Sequence, residues 1–232
     1  MLIYTNGCSH TRGTPLSLDN DHTKAWPYLV AQHHDAELVN DSRHGASNDS
    51  IVKSTMEYIL SNLENLPDQV NIQFTVLDRF DTGYVTHLPR SSMKVDNKYN
   101  NFYGDHFPRG SEMDKVLSHK LINQVILLSS FLRTYEIQSK RFLIWTPLDR
   151  EYVTYESLPF GHTLFNVNRI LSKHHKMCQT PDPARGGKPD GHFGRDAHKR
   201  IAGWITDTDS SYDVFDVDNH EEKDYNFIDY IY

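Results

Sequence analysis

Apolar positions along this chain switch repeatedly between a period of two and a period near 3.6. Leu2-Ile3-Tyr4-Thr5 is a short, β-prone run that enters Asn6-Gly7-Cys8-Ser9-His10, which predicts a strand and a glycine turn. Residues from Ala25 to His34 suit a helix, and Glu37 to Asn40 a second strand. Between Ser47 and Leu63 the apolar residues Ile51, Val52, Met56, Ile59, Leu60 and Leu63 form one stripe, predicting a helix. Val70, Ile72, Phe74 and Val76 alternate with Asn71, Gln73 and Thr75, predicting a third strand. Leu117, Leu121, Val125, Leu128 and Leu132 mark a long helix from Lys115 to Tyr135. Arg141 to Thr146 reads as a buried strand ended by Pro147. A helix from Thr163 to His174, a Pro/Gly-rich loop from Thr180 to Pro189, and a last core helix from Arg195 to Ile205 complete the pattern.

Strands alternating with helices predict a three-layer α/β/α sandwich on a mostly parallel, flavodoxin-like sheet. At 232 residues the chain suits one such domain. Residues 1–206 form it in this reading, with a surface insertion at about 82–111 rich in Tyr, Asn, Gly, Pro and His. Residues 207–232 carry nine acids and one base, so this tail holds −8 of a net charge of −7 and leaves the body near +1. Its aromatic residues are poor composition for disorder, which predicts that it packs back on the domain or on a partner subunit.

Charge then removes several function classes. A near-neutral body offers no electrostatic footprint for nucleic acid. No apolar run approaches the ~18 residues of a membrane span. The N-terminus lacks the charged start and long apolar stretch of a signal peptide, which predicts a cytoplasmic chain that folds where it is made. Two cysteines, Cys8 and Cys178, give no disulfide framework.

Three separated motifs carry the candidate chemistry. Gly7-Cys8-Ser9-His10-Thr11 follows the first strand, and Gly45-Ala46-Ser47-Asn48-Asp49 precedes the first strong helix. Asp190-Gly191-His192-Phe193-Gly194 precedes the last helix. In open parallel sheets ligands bind at the carboxyl ends of strands, where Ser9, Thr75 and Pro147 all fall. A serine hydroxyl is a weak nucleophile until a base takes its proton. A histidine titrates in the range that suits this task.

Taken together these motifs resemble the SGNH (GDSL-like) serine hydrolases. Gly7-Cys8-Ser9 matches the first block of that family with Cys in place of Asp, Gly45 matches the second, and Asp190-x-His192 resembles the last. The resemblance implies Ser9 as nucleophile, His192 as base and Asp190 as the carboxylate that orients it. It implies oxyanion donors from the backbone N–H groups of Ser9 and Gly45. The third block departs: where Gly-x-Asn-Asp is usual, this chain reads Gln73-Phe74-Thr75-Val76-Leu77-Asp78-Arg79. It thereby resembles a variant branch with a Thr and a downstream Arg in that region. Thr75 and Asn48 are the side chains that would replace the missing donor, and Arg79 is a candidate substrate-binding residue. The activity implied is hydrolysis of an ester on a small molecule or a carbohydrate, without cofactor or metal.

Blander readings compete with each assignment. Asn48 would cap the helix it begins, Cys8 would be a small core residue, and His198 would be structural. Asp182 is an alternative orienting carboxylate. His33-His34 and His174-His175 lack the i, i+4 spacing of a helical metal site, and their side chains should diverge. Rival functions are a non-catalytic binding protein on the same fold, a metal-dependent hydrolase, and a Cys8–His nucleophilic pair.

Overall fold

The computed structural model describes residues 1–13, 22–75, 77, 112–137, 139–144, 164–166, 179–182 and 188–206; for 112–114, 164–166, 179–182 and 188–192 it describes the backbone only. The expected insertion at 82–111, Arg79, Pro147, Cys178, His174-His175 and the acidic tail lie outside the described residues.

Five strands form one sheet: β1 (Leu2–Asn6), β2 (Glu37–Asn40), β3 (Gln69–Phe74), β4 (Ser139–Ile144) and β5 (Leu164–Asn166). Their order is β2-β1-β3-β4-β5, and every neighbouring pair is parallel. Helices α1 (Ser9–Arg12), α2 (Trp26–His33), α3 (Asn48–Ser61), α4 (Glu112–Thr134) and α5 (Arg195–Ile205) connect or flank them. The protein is therefore an α/β fold on a parallel sheet, as the alternation predicts.

Two cores sit on opposite faces of that sheet. Tyr4, Ile72, Phe74 and Phe142 point to one face and pack with Ile51 and Ile59 of α3 and with Leu121 and Leu128 of α4. Ile3 and Leu143 point to the other and pack with Trp26 and Val30 of α2 and with Ala197 and Ile201 of α5. Adjacent strand residues alternate between faces, so Ile3 and Tyr4 feed different cores. All five stripe residues of α4 are buried, each worth roughly 1.5–3 kcal/mol of transfer free energy.

The structure departs from the sequence reading in definite places. In α3 the inward stripe is Asn48, Ile51, Val52, Thr55 and Ile59, while Leu60 and Leu63 are about half exposed. Polar Thr55 occupies a core position because its hydroxyl bonds the Ile51 carbonyl (2.8 Å) and faces the Asn6 amide. The helix expected from Thr163 is replaced at its start by β5, paired to β4 in parallel. A short apolar run fits either period, and the open edge of β4 settles it as strand. The Pro/Gly-rich loop is an antiparallel hairpin of β6 (Gln179–Asp182) and β7 (Lys188–Phe193). Pro181 and Pro189 stand opposite one another in its register; a two-stranded ribbon has only edges, where a missing N–H is tolerated.

Candidate active site

The first motif is built by the turn at the end of β1. Asn6 Oδ1 accepts the Gly7 N–H at 2.7 Å, which turns the chain sharply at the strand end. Asn6 Nδ2 lies within reach of Tyr4 Oη, Ile51 O, Ser54 Oγ and Thr55 Oγ1, so its two hydrogens always find acceptors on β1 or α3. Glycine is required next: a Cβ at Gly7 would collide with Thr11 Oγ1 and lie 3.0 Å from the Gln73 carbonyl. Cys8, fully buried, is the extended N-cap residue of α1, and its carbonyl accepts the Arg12 N–H. Ser9 is thus the first residue of a one-turn helix, 4% exposed, at the carboxyl end of a central strand. Nothing in the apolar period announces α1, because one turn is too short to show a stripe.

The loop after β2 is tied to this turn. The Asp41 N–H donates to Thr5 O (2.9 Å) and the Arg43 N–H to Gly7 O (3.1 Å). Gly45 has φ 67°, the left-handed region in which glycine carries no Cβ penalty. Ser47 caps α3 by accepting the Ser50 N–H at 3.1 Å.

Asn48 is therefore not the cap. It is the first residue of α3, and its amide grips the backbone of Thr75: Thr75 N–H donates to Asn48 Oδ1 (2.7 Å), and Asn48 Nδ2 donates to Thr75 O (3.3 Å). This paired bond fixes the chain one residue beyond β3 to the start of α3. Thr75 Oγ1 is buried and has no hydrogen-bond partner among the described residues. Leaving a buried hydroxyl without a partner costs about 1–3 kcal/mol, so such a group calls for a function or a bound molecule.

The last motif comes to the first through rings. His10 of α1 packs on Phe193 at 4.4 Å between centroids, and Phe193 in turn meets the edge of His198 at 6.0 Å. Helix α1, with Ser9, thereby abuts the end of β7, the strand that contains Asp190 and His192. The sequence reading places these residues before α5 and gives them no element; they lie in a hairpin strand.

His198 is structural, as expected. It is fully buried, its Nδ1 accepts the Trp26 N–H at 3.1 Å, and burial lowers its pKa to about 3. The neutral ring must then carry its proton on Nε2. His33 and His34, expected to diverge, meet edge to face at 4.9 Å between centroids at the C-terminal end of α2. No group of three metal-ligating side chains occurs among the described residues, and no described helix is long and apolar enough to cross a membrane.

Sequence reasoning missed the polar residues that hold these pieces: Asn6, Thr11, Trp26 and Gln73. The available signal was the set of amides at alternate positions of β3, which a doubly covered sheet must bury.

Ser9, Gly45 and Thr75 lie beyond the carboxyl ends of β1, β2 and β3, which include the point where strand order reverses between β1 and β3. That is where open parallel sheets form ligand crevices. The class defined is an α/β protein with a serine turn at its topological switch point. No protein-family model and no curated protein matches the chain. Among solved structures it is similar to TesA, at 14% identity and TM-score 0.48 over 91% of this chain and 99% of that one. It is also similar to a member of the lipolytic protein G-D-S-L family from Veillonella parvula DSM 2008, at 12% identity, TM-score 0.45, and 91% and 99% coverage. A third neighbour is the psychrotrophic esterase EstA from Pseudoalteromonas sp., at 12% identity, TM-score 0.46, and 91% and 97% coverage. Likeness this distant transfers neither activity nor residue roles.

Proposed function

We propose that the chain is a serine esterase or deacylase of the SGNH type. Ser9 Oγ attacks the acyl carbon of an ester and passes its proton to His192, which Asp190 orients. The tetrahedral oxyanion is held by the N–H groups of Ser9 and Gly45 and by the Thr75 hydroxyl. Collapse releases the alcohol, which takes the proton from His192, and water then hydrolyses the acyl-enzyme by the same route. Arg79 binds the substrate, a small-molecule or carbohydrate ester.

One observation carries this reading: the helix that begins with Ser9 packs against the end of β7 through His10 and Phe193. A nucleophile and a base must lie within hydrogen-bond reach, and this contact joins two motifs some 180 residues apart. The Thr75 hydroxyl, without a partner among the described residues, supports the third donor, in the place where the family's asparagine is missing.

Hydrolysis of p-nitrophenyl acetate tests the assignment. Ser9→Ala should lower kcat/KM by several orders of magnitude with little change in melting temperature. Thr75→Val, which keeps shape and deletes the donor, should cut kcat by ~100-fold with a smaller effect on KM. Ser9→Ala activity within tenfold of wild type would remove Ser9 from the chemistry. The burial of Ser9 favours a second reading, a non-catalytic binding protein on the same fold; wild-type turnover no faster than that of Ser9→Ala would support it.

A further inference from the structure

A chain of buried hydrogen bonds runs beneath the proposed nucleophile. Gln73 Oε1 on β3 accepts two bonds at once, from Thr11 Oγ1 of α1 (2.8 Å) and from Trp26 Nε1 of α2 (3.1 Å). The backbone N–H of the same Trp26 donates to His198 Nδ1 on α5 (3.1 Å). Thr11, Trp26, Gln73 and His198 are all fully buried. Three bonds therefore link the helix bearing Ser9 to the helix that comes after β7. Gln73 also brackets the serine turn through its backbone, since its carbonyl is one of the atoms that leave no room for a Cβ at Gly7.

A one-turn helix cannot hold itself. Alone it makes too few hydrogen bonds to offset the entropy of fixing its residues, so its orientation must come from outside contacts. The Thr11–Gln73 bond is such a contact, two residues after Ser9, and it is made to a central strand. We propose that Gln73 is a positioning residue for the nucleophile, acting through the Thr11 hydroxyl to set the rotation of α1 and hence the direction of Ser9 Oγ. Trp26 and His198 hold the Gln73 carboxamide end and α5 in the same frame. The inference rests on Ser9 being the nucleophile.

The rate at which a fluorophosphonate modifies Ser9 reports its placement, and Thr11→Ser and Thr11→Ala differ from each other only by the hydroxyl. The serine variant should label within about threefold of wild type, and the alanine variant about tenfold or more slower, as loss of one well-placed buried hydrogen bond implies. With p-nitrophenyl acetate the alanine loss should fall in kcat and leave KM nearly unchanged. Gln73→Leu, which removes the acceptor instead, should slow labelling of Thr11→Ser by about tenfold or more, and provides the test if the alanine variant does not fold. Equal labelling of the folded serine and alanine variants, with wild type reactive, would overturn the positioning role alone. Absence of labelling in the wild-type chain would overturn this role together with the hydrolase reading.

Discussion

The two faces of the sheet solve different problems. Toward α3 and α4, β1, β3 and β4 present Tyr4, Val70, Ile72, Phe74, Phe142 and Ile144, a seam of large apolar groups. Toward α2 and α5 the same strands present Thr5, Asn71 and Gln73 alongside Ile3 and Leu143, and α5 adds His198. Four atoms on this second face, Thr5 Oγ1, Asn71 Nδ2, Gln73 Nε2 and His198 Nε2, have no hydrogen-bond partner among the described residues. A seam of hydrocarbon maximises burial and tolerates small shifts. A face of directional bonds costs desolvation but fixes orientation, which a reactive serine needs and a core does not. The difference teaches that the large apolar groups are concentrated on one side of the sheet, while the bonds of the other side reach the serine helix through Thr11.

The sharpest way to break this comparison is on the apolar side. Leu128→Ala should cost about 2–5 kcal/mol in urea unfolding, the range for a fully buried leucine, from lost burial plus the cavity that partial relaxation leaves. Activity per folded molecule should stay at the wild-type level. A stability loss below about 1 kcal/mol, or a fall in kcat with the fold intact, would show that the faces are not separate in role.

A smaller effect sharpens the polar side. Burial lowers the His198 pKa from its ordinary 6.5 to about 3, so the unfolded chain takes up this proton before the folded one does. The folded state is at no disadvantage above about pH 6.5; stability is lost as pH falls below that value toward 3, with a slope of up to ~1.4 kcal/mol per pH unit. Unfolding free energies at pH 7 and pH 5 should therefore fall more in wild type than in His198→Asn. Identical pH slopes in the two proteins would show that His198 does not stay neutral in the fold.

Legibility in the sequence divides along the same line. The five-residue stripe of α4 was readable because apolar burial leaves a period, and β2 matched from Glu37 to Asn40. The Gly7-Cys8-Ser9 turn was readable because backbone geometry restricts such a turn to few residue types, whereas Gly45 was legible only as a match to a family block. Asn71 and Gln73 were legible only as the polar phase of a strand, because alternation alone does not say which partners the polar side meets. Asn48 looked like a cap because Ser47, beside it, can do the same work, and only the tertiary pairing with Thr75 tells them apart. The β6–β7 hairpin was hidden by Pro181 and Pro189, residues that argue against a strand everywhere except at an edge. Asp190 and His192 as partners of Ser9 were legible only as a family resemblance, because no local period or turn rule marks them.

The most direct test is covalent. Wild-type protein incubated with a fluorophosphonate should gain one phosphonyl group, mapped by peptide mass spectrometry to Ser9, with a rate that rises with pH through an apparent pKa near ~6.5, the ordinary histidine value. His192→Ala should lose that transition and most of the rate, while a folded His198 variant keeps the transition. Modification elsewhere, or none in folded protein, would contradict the account, as would a pH profile that survives His192→Ala.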